Sequence, residues 1–265
     1  MSEKTKVVLD AMGGDHSPGE MVLGAVNAVK EKDNLFVYIV GPSDRIQAEL
    51  DKYEYPKDQI EIVHASDEIT CHDAPVQAIR GKKDSSMVVG LRMVREGKAD
   101  GFVSAGNSGA VLVGGQVLVG KMKGIERAPL APIVPTLKGV SLLVDCGANV
   151  DAKPSNLVQF AQMGSIYMEN ALKIERPTVG ILNIGAEEEK GNALVKETYP
   201  LLKECKGINF IGSVEARDFI YGAADVVVTE AFAGNVMLKT IEGVASGLFK
   251  LIKNSITATP VSTIG

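Results

Sequence analysis

The turn Asp10-Ala-Met-Gly-Gly-Asp-His-Ser-Pro-Gly19 sets two carboxylates, an imidazole and a glycine pair side by side. Carboxylates and histidine move protons near neutral pH, and glycine lets a backbone approach a ligand closely. Asp10, Gly13, Gly14, Asp15 and His16 are therefore the first candidates for binding and proton transfer. A second segment, Ser104-Ala-Gly-Asn-Ser-Gly109, is small, polar and uncharged, and it opens a helix expected over residues 110–119. Amides at a helix start attract an anion, and phosphate suits Ser104, Gly106, Asn107, Ser108 and Gly109. The same residues also describe a plain Gly-rich turn capped by Asn107 or Ser108, and both readings stand. Neither a Gly-Lys-Ser/Thr ending nor complete dinucleotide spacing is present, so phosphate is a better guest here than a nucleotide.

Three later segments carry the remaining polar chemistry. Asp145-Cys-Gly-Ala-Asn149 precedes Asp151, Lys153 and a helix start at Pro154 and Ser155, where Ser155 reads as an N-cap. In Asn183-Ile-Gly-Ala-Glu-Glu-Glu-Lys-Gly-Asn192, Lys190 is either a positive charge for a phosphate or a developing oxyanion, or one of several solvated surface charges. Thr229-Glu-Ala-Phe-Ala-Gly-Asn235 leads into the last helix, with Lys239 in its early turns. His16 lies in a strand-end loop among candidate site residues, whereas His64 and His72 flank an acidic segment and read as structural. No local motif pairs a Ser or Cys nucleophile with a His. Phosphate is itself an adequate nucleophile, so a covalent enzyme intermediate is not required.

The elements that must hold these loops are short apolar runs at residues 7–9, 35–40, 60–64, 101–103, 140–144, 178–182, 209–211 and 225–228. Their β-branched content and brevity predict buried strands. Between them, Val22, Ala25, Val26 and Val29 share a helical face, as do Met87, Leu91 and Val94, and then Leu157, Phe160, Ala161, Gly164 and Met168. Alternating strands and helices predict a three-layer αβα fold around a largely parallel sheet, with right-handed crossovers. Ligands then bind beyond the carboxyl ends of the strands, where the five loops lie. We expect one domain over residues 1–265, with a hinge or lobe boundary in the Pro-rich stretch at 129–135. A last helix is expected over residues 236–256, with Met237, Ile241, Val244, Leu248, Leu251 and Ile252 on one stripe.

Composition narrows the function classes. The chain is 265 residues long, 45% hydrophobic and 23% charged, as expected of a globular protein. A net charge of −5 argues against general nucleic-acid binding, although Lys121, Lys123 and Arg127 form a basic cluster able to steer an acidic partner. Cys71, Cys146 and Cys205 have no metal or redox spacing and read as buried small apolar residues. No leader pattern precedes Val7, and the uncharged segment 101–120 is too polar to read as a membrane span; a cytoplasmic protein is expected.

These segments, in this order, resemble the PlsX-type phosphate acyltransferases of bacterial phospholipid synthesis. The resemblance rests on Leu9-Asp-Ala-Met-Gly-Gly-Asp-His16, His64-Ala-Ser with Lys82-Lys-Asp-Ser-Ser-Met87, and Ser104-Ala-Gly-Asn-Ser-Gly-Ala110. It extends to Asp145-Cys-Gly-Ala-Asn149, Asn183 to Asn192 and Gly234-Asn-Val-Met-Leu-Lys239, across nearly the whole chain. It implies a fold similar to phosphate acetyltransferases and isopropylmalate dehydrogenases, a homodimer, no metal or nucleotide cofactor, and peripheral membrane association. A membrane-bound glycerol-3-phosphate acyltransferase would act downstream. The resulting candidates are Asp15, His16, Lys190 and Asn235 for catalysis. For substrate binding they are Asp10, Gly13, Gly14, Ser104, Gly106, Asn107, Ser108, Gly109, Asn149, Asn183, Gly185 and Lys239. Glu230-Ala231 stands where the family usually has Asp-Gly, and a later Gly-Gly-Ala and a His-Gly segment are missing, so Gly265 reads as the end of a fragment.

The expected reaction is attack of phosphate on the thioester of acyl carrier protein, with amides or Lys190 stabilising the oxyanion and Asp15 or His16 managing the proton of the leaving thiol. The competing readings are an acyl-CoA-dependent phosphate acetyl- or butyryltransferase and, more weakly, a dehydrogenase with the same fold. A third is a non-catalytic partner- or membrane-binding fragment, using the apolar stripe of the last helix.

Overall fold

A computed structural model describes residues 4–256. The chain divides into two compact units between Gly124 and Ile125. The Pro-rich stretch at 129–135 lies inside the second of them, and Gly265 lies outside the described residues.

The first unit runs β1 (Thr5–Asp10), α1 (Gly19–Glu31), β2 (Leu35–Gly41), α2 (Ser43–Leu50), β3 (Ile60–His64), α3 (Pro75–Gly81), α4 (Ser86–Arg95), β4 (Gly101–Val103) and α5 (Ser108–Gly114). A single π-type stretch, Gly115–Val119, prolongs α5. The four strands pair in the order β3-β2-β1-β4, all parallel. Alternation along the strands divides the core between two faces. Val37 and Ile39 of β2 pack with Val22, Ala25, Val26 and Val29 of α1. Val8 of β1 and Val40 of β2 pack on the other side with Met93 of α4. The central strands β1 and β2 pack side chains on both faces, and β2 reads as a continuous apolar run, whereas β3 and β4, at the edges of this sheet, contain no fully buried residue.

The second unit runs β5 (Ile133–Thr136), β6 (Gly139–Val144), α6 (Pro154–Ala171), β7 (Thr178–Asn183), α7 (Ala193–Glu204), β8 (Asn209–Glu215), α8 (Ala216–Phe219), β9 (Val226–Val228) and α9 (Ala231–Ile256). Its sheet order is β5-β6-β9-β7-β8, and β5 alone is antiparallel. Leu142, Val144, Val226 and Val228 face α6 and α7. Leu143 and Val227 face Phe219 and Met237 on the opposite side. The predicted stripe of α6 holds in full, with Leu157, Phe160, Ala161 and Met168 buried.

Three expectations change. Residues 133–135 of the stretch read as a hinge or lobe boundary lie in an edge strand, Ile133–Thr136, a place where Pro135 can sit without losing a ladder hydrogen bond. Ser155 is a residue inside the first turn of α6 rather than its cap, because the helix begins at Pro154. Cys71 is exposed, on the turn closed by the Asp73 N–H donating to the Thr70 carbonyl, while Cys146 is buried as expected. Beyond Ile241 the apolar residues Val244, Leu248, Phe249, Leu251 and Ile252 of α9 stand exposed. Among the described residues no helix is long and apolar enough to cross a membrane.

Candidate functional site

In the first unit, the carboxyl ends of β1 and β4 bring the turn at 10–16 against the turn at 104–109. Asp10 is the centre of that arrangement. Its carboxylate is buried and accepts from the Met12 amide at 3.1 Å, from Ser86 Oγ at 2.5 Å and from Ser104 Oγ at 2.8 Å. Three neutral donors therefore solvate a charge that would otherwise be costly to bury. Ser104 Oγ in turn accepts from the Gly106 amide at 3.1 Å. The two glycine turns are in close contact. A Cβ on Gly13 would stand 2.6 Å from Ser104 Oγ and 2.9 Å from the Gly106 nitrogen, and one on Gly106 would stand 3.2 Å from Gly13 Cα. Gly14 occupies the left-handed region at φ 102°.

Asn107 is the N-cap of α5. Its Oδ1 accepts from the Ala110 amide at 3.0 Å, and its Nδ2 donates to the carbonyls of Thr70 and Asp73. Both polar atoms of that side chain are thus engaged within the protein, and the cap reading of the turn holds for Asn107. Ser108 is exposed at the first position of the helix, beside Gly109. The segment that receives Asn107 is itself fixed by Lys82, whose Nζ donates to Asp73 Oδ2 and to the Glu68 carbonyl, both at 2.8 Å. Hydrogen bonding from Lys82 and the Thr70 amide holds the Asp73 carboxyl down at about 2. Asp15 and His16 lie on the outside of their turn, exposed to solvent.

In the second unit, Asp145 follows β6 as a fully buried carboxylate. Its Oδ1 accepts from the amides of Leu130 and Ala148, and its Oδ2 accepts from Asn149 through both the amide and Nδ2 at 2.8 Å. Asn149 also donates to the Ala128 carbonyl. The pair fastens the 145–149 turn to residues 128–130. Burial, with the Asp145 charge beside it, pushes the Cys146 thiol up to about 12, so that thiol is not a nucleophile at neutral pH.

Asn183 closes the next loop. Its Oδ1 accepts from the Ile184 amide, and its Nδ2 donates to the Lys190 carbonyl at 3.2 Å and to Ser213 Oγ at 3.0 Å. Lys190 is exposed and folds over Gly185, where a Cβ would meet its Nζ at 3.0 Å. Its Nζ pairs with Glu187 Oε2 at 2.7 Å, and that hydrogen bond raises the lysine and lowers the glutamate.

At the start of α9, Glu230 accepts from the amides of Phe232 and Ala233 at 2.7 and 2.8 Å. It is an N-cap carboxylate, so its longer side chain is used at the helix start rather than pointed at a ligand. Gly234 packs directly on the Asp145 carbonyl, a position that leaves no room for a side chain. Asn235 and Lys239 are exposed, and Lys239 pairs with Glu242 at 2.7 Å. Next to this helix start, a pocket of about 650 Å3 opens at the carboxyl ends of β7 and β9, lined largely by apolar side chains of α7 and α9. Among the described residues no group of three or more His, Cys, Asp or Glu could hold a metal ion.

The sequence reading missed Ser86 and Asp145 as organising residues, although both fall within the quoted segments. It also missed the pocket, whose walls come from elements far apart in the chain. Arg127 of the expected basic cluster is held by Asp151 through a two-pronged ion pair at 2.6 and 3.2 Å.

Residues 5–265 match the family described as "Fatty acid synthesis protein". A phosphate acyltransferase from Alkaliphilus oremlandii (strain OhILAs) is 54% identical over 260 residues, covering 98% of this chain and 77% of that protein. One from Clostridium acetobutylicum is 49% identical over 259 residues, covering 98% and 78%. Among solved structures, EutD phosphotransacetylase from Staphylococcus aureus superposes with a TM-score of 0.64 at 17% identity, covering 92% of this chain and 83% of that one. The last likeness bears out the expected fold.

Proposed function

The chain belongs to the fatty acid synthesis protein family, and from that premise we propose that it transfers a fatty acyl group from acyl carrier protein to inorganic phosphate, giving an acyl phosphate for phospholipid synthesis. The observation that carries this reading is the 54% identity, over 98% of the chain, to a protein named for phosphate acyl transfer. A phosphate oxygen attacks the thioester carbonyl, a C–O bond forms, the C–S bond breaks, and the carrier thiol leaves.

In the first unit, the Ser104–Gly109 turn supplies the phosphate site through the Ser108 hydroxyl and neighbouring amides. Asp10 and Asn107 serve that site by fixing its shape, since every polar atom of their side chains is engaged within the protein. In the second unit, Lys190 supplies positive charge to the oxyanion, exchanging its hydrogen bond with Glu187 for one to the substrate. Asn183 and Gly185 act by shaping the loop that presents it, and Asn149 acts by holding the 145–149 turn. Asp15 or His16, both accessible, returns a proton to the leaving thiolate. Asn235, exposed near the start of α9, is assigned to catalysis and Lys239 to substrate binding.

A homodimer and peripheral membrane association are part of the same reading, supported by the exposed apolar residues of α9 from Val244 onward. Lys121, Lys123 and Arg127 are assigned to steering acyl carrier protein, with Arg127 shared with Asp151.

The test is hydroxylamine trapping of acyl phosphate, with acyl carrier protein and coenzyme A thioesters compared as donors at saturating phosphate. Product from the carrier donor alone supports the reading. Product from coenzyme A donors alone would replace the donor, and no product from either would end the acyl-transfer reading.

A further inference from the structure

We infer that the apolar pocket of the second unit is the subsite for the hydrocarbon chain of the acyl donor, an inference that rests on the acyl-transfer reading above. Its volume of about 650 Å3 falls inside the range of roughly 300–1,000 Å3 typical of small-ligand sites. It opens past the carboxyl ends of β7 and β9, the place where open α/β sheets take their ligands.

The walls select against a polar guest. Ile181, Leu194, Val195, Val236 and Ile241 form much of the lining. Most of the polar groups among the lining residues are already engaged. Thr229 Oγ1 donates to the Glu230 carbonyl and Thr240 Oγ1 to the Val236 carbonyl, while the Glu230 carboxylate accepts from the first amides of α9. Arg217, at the rim, is paired with Glu215 and Asp218. A ligand that needed hydrogen bonds would find few inside, whereas methylene groups would gain by leaving water.

The rim links the pocket to the chemistry. Asn183, Gly191 and Asn192 line the pocket and also bound the loop that carries Lys190. A chain lying in the pocket would therefore enter beside that lysine. Phe232 and Ile184 stand at the mouth with 67% and 79% of their surfaces in water, an arrangement that fits a hydrocarbon passing between them.

The full chain contains no tryptophan, so Phe232→Trp places a single fluorescent reporter at the mouth. Titration of that protein with dodecanoate should shift its emission to shorter wavelength and saturate, while butyrate at the same concentrations should not. Val195→Phe, which fills the pocket from α7, should weaken dodecanoate binding to the reporter protein about tenfold. It should also lower the ratio of kcat/KM for long-chain over short-chain donors by a similar factor. Thr240→Phe fills the pocket from an exposed position on α9 and replaces Val195→Phe if that variant does not fold. No saturable response to dodecanoate, or a response that neither filling variant weakens, would overturn the assignment. So would an emission already at short wavelength and unmoved by dodecanoate, because polypeptide would then occupy the space. Absence of acyl phosphate from every donor would instead sink the transfer reading, and the reporter titration would still decide the pocket.

Discussion

Ser104 Oγ donates to Asp10 Oδ2 at 2.8 Å, joining two strand-end turns that lie 94 positions apart in the chain. With Ser86 Oγ and the Met12 amide on the other oxygen, one buried carboxylate ties β1, α4 and the turn before α5 together. Asp10→Ala leaves those donors without their acceptor. Hydrogen bonds to charged groups are worth about 1.5–3 kcal/mol, so we expect a loss on the order of 3 kcal/mol in urea unfolding. A loss no larger than that of a typical surface substitution would mean that water replaces the carboxylate.

Asn107 and Ser108 are neighbours with different expected effects. Asn107→Ala removes a cap and two bonds to the 70–73 segment, and should lower stability by about 1 kcal/mol or more. Ser108→Ala touches no hydrogen bond within the protein and should raise the KM for phosphate several-fold at unchanged melting temperature. Phosphate saturation identical to that of the unsubstituted protein would leave the turn as a cap alone. Gly106→Val is a poorer probe, because its Cβ would press on Gly13 whether or not phosphate binds.

Lys190→Ala should lower kcat about tenfold or more while changing the KM for phosphate little, if its charge meets the oxyanion chiefly in the transition state. Glu187→Gln tests the same residue from the other side, since it removes the anion that holds Lys190 and raises its affinity for a proton. Turnover should then be retained or rise. Equal loss in both variants would mean that the ion pair matters only for the shape of the loop.

The Lys82–Asp73 pair gives a pH signature. The Asp73 carboxyl titrates at about 2 rather than at its ordinary 3.8, so its stabilising contribution is complete above about 3.8 and is lost as pH falls toward 2. Lys82 is raised, so its share is complete below the ordinary lysine value and lost only as pH rises through the elevated one. Lys82→Met should therefore destabilise the protein at neutral pH, with the difference from the unsubstituted protein shrinking between about pH 4 and pH 2. A difference that stays constant across that interval would show that the pair does not govern the titration.

The central strands were legible because they are packed on both faces and carry apolar, β-branched runs, as at residues 35–40 and 226–228. Helix faces were equally plain: the four positions chosen in α1 are all buried. The edge strand at 133–136 was hidden by Pro132 and Pro135, since a proline marks a break unless the strand is known to lie at an edge. The site was legible as loops but not as roles. Asn107 suits an anion donor and a helix cap equally well in sequence, and only the positions of Thr70 and Asp73 decide between them. Ser86 stands in sequence only as one residue of the segment 82–87, and its partner Asp10 is 76 positions away. Glu230 reads as a change from the family's usual Asp, yet its carboxylate still finds two amides of α9.

Helix α9 also changes character along its length. Its first turns carry Ala231, Gly234 and Met237 into the core, whereas Glu242 to Ile256 is almost wholly exposed and includes Gly243 and Gly247. An isolated stretch of that length is marginally stable in water, and internal glycines weaken it further. Amide hydrogens near Met237 should exchange slowly with deuterium, and those past Val244 rapidly, while nothing covers the latter. Protection spreading toward Ile252 as protein concentration rises would signal a second copy, and protection gained only on adding vesicles would signal lipid. The exchange gradient along one helix is thus a gauge of what the protein has docked against.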